Sequence, residues 1–195
     1  MKKIKSVCVY CASSSKINPR YFEAARETGR LLAQNGMRCV CGAGNQSLMG
    51  TLADSVLKNG GEVLGVIPRF MIDEGWCHKG LTETIVTADM HERKERMAQE
   101  ADAVIALPGG CGTMEELFEI ITWKQLGLFL NPIVILNIDG YYNPLIEMLH
   151  NAIGENFMRQ EHARMWQVAQ TPQEAVDAIQ NIPVWDKNIR KIAAI

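Results

Sequence analysis

Ala103-Val104-Ile105-Ala106-Leu107-Pro108-Gly109-Gly110-Cys111-Gly112-Thr113 is the stretch that decides the fold of this 195-residue chain. Its first five residues form a short apolar run, which predicts a buried β-strand. A proline and three glycines follow, and residues 113–130 then show the periodicity of a long helix. A buried strand that leads through a glycine-rich turn into a helix is typical of α/β proteins with a parallel sheet.

The same alternation of strands and helices extends in both directions from this stretch. Short runs rich in β-branched residues predict further strands at residues 4–10, 37–42, 63–67, 84–86 and 133–137. Asn18 and Pro19 predict the start of a helix that ends near Gly36. More helices are predicted at residues 48–58, 142–152 and 172–180. The sequence therefore predicts a doubly wound, Rossmann-like α/β fold, with helices on both faces of a parallel sheet.

Composition and charge fit one self-folding domain over residues 1–195. Apolar residues make up 47% of the chain and charged residues 22%, as in ordinary globular domains. The net charge of -2 gives no basic surface for nucleic acid or an anionic membrane. No apolar run is long enough to span a bilayer, and Met1-Lys2-Lys3 leads directly into a predicted strand. We therefore expect a cytoplasmic protein without nucleic-acid or membrane partners.

The cysteines and the C-terminal tail are predicted to contribute to packing. Cys8 and Cys11 have an odd separation, which predicts opposite faces of the first strand, and Cys39 and Cys41 fall in the second predicted strand. We interpret them as small core residues in a reducing compartment, not as disulfides or zinc ligands, and we expect no metal. After residue 183 we expect a short apolar tail to pack onto the domain; it contains Trp185, Ile189, Ile192 and Ile195.

The predicted topology also indicates where a ligand binds. In doubly wound sheets, ligands bind beyond the carboxyl ends of the strands, at the point where the strand order reverses. Four loops that leave such ends are rich in small or special residues, at positions 12–15, 42–45, 108–113 and 138–140. We expect these loops to line one crevice.

The turn at residues 108–113 has the features of an anion site. Its three glycines leave backbone N–H groups accessible beside a helix N-terminus, where phosphate groups bind. A tight turn could need glycine for steric reasons alone, but this cluster exceeds that need. A Walker A loop would require a lysine immediately before Thr113, and the loop at residues 42–47 lacks the third glycine of a dinucleotide fingerprint. A dinucleotide cofactor is therefore not expected.

The segment Pro108-Gly109-Gly110-Cys111-Gly112-Thr113-Met114-Glu115-Glu116 carries a more specific signal. It resembles the PGGxGTxxE signature of the LONELY GUY (LOG) family of cytokinin riboside 5′-monophosphate phosphoribohydrolases. The resemblance covers residues 7–178. Further similar blocks are Ser13-Ser14, Leu48-Met49-Gly50, Asp89-Met90-His91-Glu92-Arg93-Lys94, Ile121-Thr122-Trp123, Gln125-Leu126-Gly127 and Asp139-Gly140-Tyr141-Tyr142-Asn143.

This resemblance implies a homodimer that hydrolyses the N-glycosidic bond of AMP or an N6-modified AMP, releasing the base and ribose 5-phosphate. It implies neither a metal nor an organic cofactor. The essential pair of the family falls on Arg93 and Glu116, which are the candidate catalytic residues. The implied substrate contacts are Arg93, Lys94, Gly109, Gly110, Cys111, Gly112, Thr113 and Glu116.

The chain departs from the family pattern in two places. A family glutamate that contacts substrate, eighteen residues before Arg93, falls on Gly75, so the adjacent Glu74 is the candidate for that contact. Ala43 also stands in the middle of a loop where the family commonly has three glycines.

Several alternatives remain open at the level of sequence. Thr113 and Glu116 could form a capping box without chemistry, and Arg93 could lie on an exposed, charged helical face. Ser13 and Ser14 could contact ligand or cap the helix after Asn18. The general acid could be Asp89, Glu74 or a bound water.

A rival function is a noncatalytic nucleotide-binding or carrier protein that uses the same turn. Related sequences have been labelled lysine decarboxylases, but no lysine here has the setting of a pyridoxal phosphate Schiff base.

Overall fold

Seven parallel strands form one sheet in the computed structural model, which describes residues 3–183 and 185–189. The strands are β1 (Ser6–Tyr10), β2 (Arg38–Cys41), β3 (Val63–Pro68), β4 (Glu83–Thr87), β5 (Ala103–Ala106), β6 (Ile133–Leu136) and β7 (Gln167–Ala169). Their order across the sheet is β4-β3-β2-β1-β5-β6-β7. The order reverses between β1 and β5, where the chain turns from building one half of the sheet to the other.

Helices cover both faces of this sheet. They are α1 (Pro19–Gln34), α2 (Ser47–Lys58), α3 (Arg69–Asp73), α4 (Met90–Gln99), α5 (Cys111–Gln125), α6 (Asn143–Gly154) and α7 (Pro172–Asn181). Apolar residues of α1, α2 and α7 form a core with one face of the sheet, and those of α4, α5 and α6 form a second core with the other. The doubly wound α/β prediction is confirmed.

The six predicted strands are all present, with ends that differ from the prediction by at most two residues. The seventh strand, β7, was not predicted. It is three residues long and lies at the edge of the sheet, where two of its three residues are exposed. A strand this short and this exposed lacks the apolar run by which the others can be recognised.

Helix α5 differs from its prediction at both ends. It begins at Cys111 with Gly110 as its N-cap, so Thr113 lies inside the first turn and the proposed capping box is not formed. It ends at Gln125 instead of residue 130, because Gly127 adopts a left-handed φ of 68° after the last turn.

Helix α4 was not predicted as an element, although it carries two candidate site residues. Its N-cap is Asp89, whose carboxylate accepts hydrogen bonds from the N–H groups of His91 and Glu92 at 2.8 and 2.9 Å. Arg93 and Lys94 are only 6% and 7% exposed. The alternative that placed Arg93 on an exposed face is therefore wrong, because this side of α4 packs against the sheet and α5.

The predictions for the cysteines and the tail have mixed outcomes. Cys8 and Cys11 lie in the cores on opposite faces of the sheet, as predicted, and both are free thiols. Trp185 packs against the second core and Ile189 is buried, whereas Ile192 and Ile195 lie outside the described residues. In the part of the chain that the structure describes, no helix is long and apolar enough to cross a membrane.

Candidate active site

A cleft of about 260 Å³ opens at the carboxyl ends of β1 and β5, where the strand order reverses. It is lined by main chain and side chains from β1, the loops that follow β1, β2 and β5, and helices α2 to α5. The lining residues are Val9, Tyr10, Cys11, Ser13, Gly42, Met49, Met71, Met90, Arg93, Met97, Gly110, Cys111, Gly112, Thr113, Glu115 and Glu116. Three of the four predicted loops therefore meet here, and only residues 138–140 do not contribute.

The start of α5 forms one wall of this cleft and has the features of an anion site. Its N-cap, Gly110, has no side chain to accept a hydrogen bond from the amides of the first turn. A Cβ added to Gly110 or Gly112 would meet nothing within 4 Å, so open space lies in front of both residues. Free N–H groups and the positive end of the helix dipole favour an anion at this position.

Two tyrosines of the segment after β6 support this turn from behind. The Tyr141 hydroxyl donates to the carbonyl of Gly109, and the Tyr142 hydroxyl donates to the carbonyl of Leu107, both at 2.7 Å. Burial raises the pKa of Tyr142, so its hydroxyl keeps the proton that it donates. Gly109 itself is required by packing, because a Cβ there would lie 2.1 Å from Oγ1 of Thr113.

Arg93 reaches the cleft from α4 with its guanidinium held by the main chain. Its Nε donates to the carbonyl of Val66 at 3.1 Å, and its Nη2 donates to the carbonyl of Gly42 at 3.0 Å. These acceptors lie in β3 and directly after β2. Because neutral carbonyls hold the guanidinium, its positive charge is fixed in place and still available to a ligand.

Glu116 faces the same cleft from the second turn of α5. Burial raises the pKa of this carboxyl to about 7, and the positive charges of Arg93 and Lys94 oppose the rise. Glu115 and Glu119 on the same helix add to it. Near neutral pH the carboxyl therefore exists in both protonation states, which suits a group that stabilises charge or transfers a proton.

Three candidates do not line the cleft: Gly109, Lys94 and Glu74. Nζ of Lys94 pairs with the carboxylates of Glu115 and Glu119, the latter at 3.1 Å, and so joins α4 to α5. Glu74 is exposed at the end of α3. The next residue, Gly75, has a φ of 75°, a left-handed conformation in which a glutamate would be strained.

The structure also shows where Asp89, Ser13 and Ser14 lie, whose roles the sequence left open. Asp89 caps α4, and hydrogen bonds from the N–H groups of Glu92 and His91 hold the pKa of its carboxyl below the usual value, so it is a poor proton donor. Asn18, not a serine, caps α1, whereas Ser13 lines the cleft. Ser14 contributes its carbonyl, which accepts a hydrogen bond from the hydroxyl of Ser47.

A recess of about 260 Å³ continues from the cleft, with which it shares Ser13, Met49 and Met71. Its walls are mainly apolar, with Asn45 and Gln46 as further polar residues. Trp76 forms part of its wall. The loop that carries Trp76 is tied to the loop after β2, since the N–H of Asn45 donates to the Trp76 carbonyl at 2.9 Å. Sequence reasoning missed Met71 and Trp76 because no local motif marks them.

A larger cavity of about 750 Å³ lies elsewhere, between β7 and residues 182–183, 185–186 and 188–189. Its walls include Trp166 and Trp185 but none of the glycine turn, Arg93 or Glu116. We assign the smaller cleft as the site because position at the strand-order reversal and converging charged groups indicate function better than volume does.

The chain matches one protein-family model and is similar to several named proteins. The family described as "possible lysine decarboxylase" matches residues 49–179. The cytokinin riboside 5′-monophosphate phosphoribohydrolase LOG7 of Arabidopsis thaliana is 40% identical over 195 residues, which cover 95% of this chain and 90% of the relative. The phosphoribohydrolase LOG of Oryza sativa subsp. japonica is 40% identical over 174 residues, covering 89% and 72%.

Solved structures show the same fold at lower identity. The molybdenum cofactor carrier protein of Chlamydomonas reinhardtii has a TM-score of 0.69 at 18% identity, covering 91% of this chain and 96% of its own. The molybdenum cofactor binding protein of Rippkaea orientalis has a TM-score of 0.67 at 19% identity, with the same coverage.

The decarboxylase description finds no support in the cleft, because among the residues described none of those lining it is a lysine. The relatives with phosphoribohydrolase names are 40% identical over most of the chain, and the family model matches residues 49–179. Together these matches show that this protein belongs to the LONELY GUY family of cytokinin riboside 5′-monophosphate phosphoribohydrolases.

Proposed function

We propose that this protein hydrolyses the N-glycosidic bond of a purine nucleoside 5′-monophosphate, AMP or an N6-modified AMP, to the free base and ribose 5-phosphate. One observation carries the proposal. A glycine-rich helix start, a fixed arginine and a carboxyl with a pKa near 7 line a single cleft. Membership of the phosphoribohydrolase family, with relatives at 40% identity, supports the same reaction.

The phosphate is the natural occupant of the α5 wall. Amides of the first turn and the helix dipole supply the hydrogen bonds and positive potential that a phosphate dianion requires. Cys111, Gly112 and Thr113 all line the cleft at this wall. With the phosphate placed there, the ribose lies toward Arg93 and Glu116, and the base lies toward the apolar recess.

Cleavage of the glycosidic bond builds positive charge on the ribose ring. An ionised Glu116 beside the ring stabilises that charge more strongly in the transition state than in the ground state, which is the condition for catalysis. Arg93 keeps its proton at ordinary pH, so its task is to hold phosphate or ribose and to orient Glu116.

The departing base needs a proton or a hydrogen bond on a ring nitrogen. Asp89 and Glu74 are not placed to supply it, because one caps α4 and the other is exposed outside the cleft. A bound water is left as the donor, because Glu116 has to be ionised to stabilise the ribose cation.

The recess lined by Met49, Met71 and Trp76 supports an N6-modified base. An apolar substituent on the purine amine would bury hydrocarbon there at about 25 cal/mol per Å² of surface removed from water. AMP itself would leave the recess to water. We therefore propose an adenine with an apolar N6 group as the preferred base.

The test is turnover of a substrate panel followed by chromatography. We expect AMP and N6-isopentenyl-AMP to release base and ribose 5-phosphate, with the higher kcat/KM for the second. Adenosine should be a far poorer substrate, because it lacks the phosphate that binds at α5. Comparable kcat/KM for AMP and adenosine would contradict the phosphate assignment, and binding without turnover of any 5′-monophosphate would favour the carrier alternative.

We also propose a cytoplasmic homodimer. Met97 is buried in the second core and Trp123 is partly buried against it, so we do not assign these two residues to the interface. Exposed apolar side chains on and after α5 replace them: Phe118, Leu126 and Leu128 are 41%, 45% and 62% exposed. Light scattering should give about twice the chain mass of 21.8 kDa. A monomer at assay concentration would refute this proposal.

A further inference from the structure

Gly42, the first residue after β2, lies against the guanidinium of Arg93. A Cβ added to Gly42 would lie 1.8 Å from Nη2 of Arg93 and 2.9 Å from its Cζ. The third nearest atom is Nε of the same side chain, at 3.5 Å. All three of the closest atoms therefore belong to Arg93, and the missing side chain of Gly42 provides room for the guanidinium.

Backbone conformation does not explain this glycine. The φ of Gly42 is outside the left-handed region, so alanine could adopt the same backbone without strain. The next residue, Ala43, does have a left-handed φ of 59° and yet is not glycine. In this loop, glycine stands where the guanidinium needs space, and alanine stands where the backbone would favour glycine.

We propose that Gly42 is a positioning residue for Arg93, which lets the guanidinium lie against the carboxyl end of β2 and point into the cleft. The carbonyl of Gly42 accepts from Nη2 at 3.0 Å, and the carbonyl of Val66 accepts from Nε at 3.1 Å. A methyl group at position 42 displaces Nη2 of Arg93 from the Gly42 carbonyl and tilts the guanidinium so that Nε leaves the Val66 carbonyl. The proposal rests on the proposed function, because it assigns Gly42 a task in the same site.

The displaced atoms are at the far end of a flexible side chain, so the fold should tolerate Gly42→Ala. Arg93 can swing away, at the cost of its two main-chain hydrogen bonds, without moving β2 or α4. Misplacement of a catalytic group by about 1 Å can cost about 10²-fold in rate. We therefore expect Gly42→Ala to fold and to lose about 10²-fold in kcat/KM.

A double-mutant cycle separates positioning from a general effect on the loop. If Gly42 acts through Arg93, Gly42→Ala should lower kcat/KM by less than about 3-fold in the Arg93→Ala background, because residues acting as one unit are not additive. Losses that multiply in the double variant would overturn the proposal.

Gly29 offers a matched control. It is another closely packed glycine, and a Cβ there would lie 2.7 Å from the carbonyl oxygen of Leu52, between α1 and α2. Gly29→Ala should lower the Tm, because this neighbour is backbone and cannot swing away, but it should leave kcat/KM unchanged. Positioning would also be refuted if Gly42→Ala lowered the Tm as much as Gly29→Ala does and lost activity only in proportion to its unfolded fraction.

A readout that does not need turnover keeps this test separate from the proposed function. The positive charge of Arg93 opposes the rise in the pKa of Glu116. NMR titration of ¹³C-labelled glutamate, with the Glu116 signal assigned from Glu116→Gln, should show a higher pKa in Gly42→Ala than in the parent protein. An unchanged pKa in the folded variant would overturn the proposal. Failure of the parent protein to hydrolyse any 5′-monophosphate would refute the proposed function alone.

Discussion

Replacing Glu116 by glutamine should make the protein more stable and less active at alkaline pH. The carboxyl has an ordinary pKa of 4.5 when unfolded and about 7 in the fold, where burial disfavours its charge. Because the folded pKa is raised, ionisation of Glu116 destabilises the fold. This cost is absent below pH 4.5, grows as the pH rises from 4.5 to 7, and is complete above pH 7.

The size of the effect follows from the shift. One pKa unit corresponds to about 1.4 kcal/mol, so ionised Glu116 costs the fold at most about 3 kcal/mol at pH 8. Water in the open cleft screens the charge and reduces this to about 1 to 2 kcal/mol. For a domain of this size, Glu116→Gln should raise the Tm by roughly 2 to 8 °C at pH 8 and leave it unchanged at pH 4.

The same substitution should lower kcat by about 10²- to 10⁴-fold, because it removes the charge that stabilises the ribose cation. In the parent enzyme, kcat should fall as the pH is lowered through about 7, since protonation removes the same charge. Glu115→Gln is the matched control: its carboxylate pairs with Lys94, so activity should persist and the Tm should not rise.

Thermal melts at the two pH values and steady-state kinetics check both parts. An active, folded Glu116→Gln enzyme would refute the choice of catalytic carboxylate. A Tm at pH 8 that does not rise would refute the electrostatic reasoning, whatever the activity.

Three further substitutions test other parts of the site. Gly112→Ala should raise KM for AMP at least 10-fold, because a methyl group enters the open space before α5. Thermal melts of this variant should show equal or slightly higher stability, since alanine is favoured over glycine in a helix by about 1 kcal/mol. Tyr141→Phe should also raise KM, by about 5-fold, through loss of the 2.7 Å hydrogen bond to Gly109; unchanged KM would remove its supporting role. Lys94→Met should lower the free energy of unfolding by about 1 kcal/mol, through loss of the ion pairs with Glu115 and Glu119. It should change kcat/KM less than 3-fold, and a large rise in KM would show that Lys94 binds substrate.

The sequence alone determined the doubly wound architecture and the position of the candidate anion site. Apolar runs, helical periodicity and the glycine turn at residues 108–113 are local patterns, and each is produced by the conformational preferences of neighbouring residues. These patterns sufficed for six of the seven strands and for a glycine turn that leads into a helix beside a cleft. The ends of α5 were misplaced because a cap depends on backbone angles, such as the left-handed φ of Gly127, that apolar periodicity does not encode.

Only the tertiary structure decided which side chains meet. Arg93 and Lys94 are neighbours in sequence, yet one enters the cleft and the other pairs with α5, because adjacent helical positions point about 100° apart. Gly42 and Arg93 are 51 residues apart, and no local motif links them. Parallel strands joined by crossover helices bring such distant residues together at one edge of the sheet, so the site's contacts follow from the packing of the whole chain.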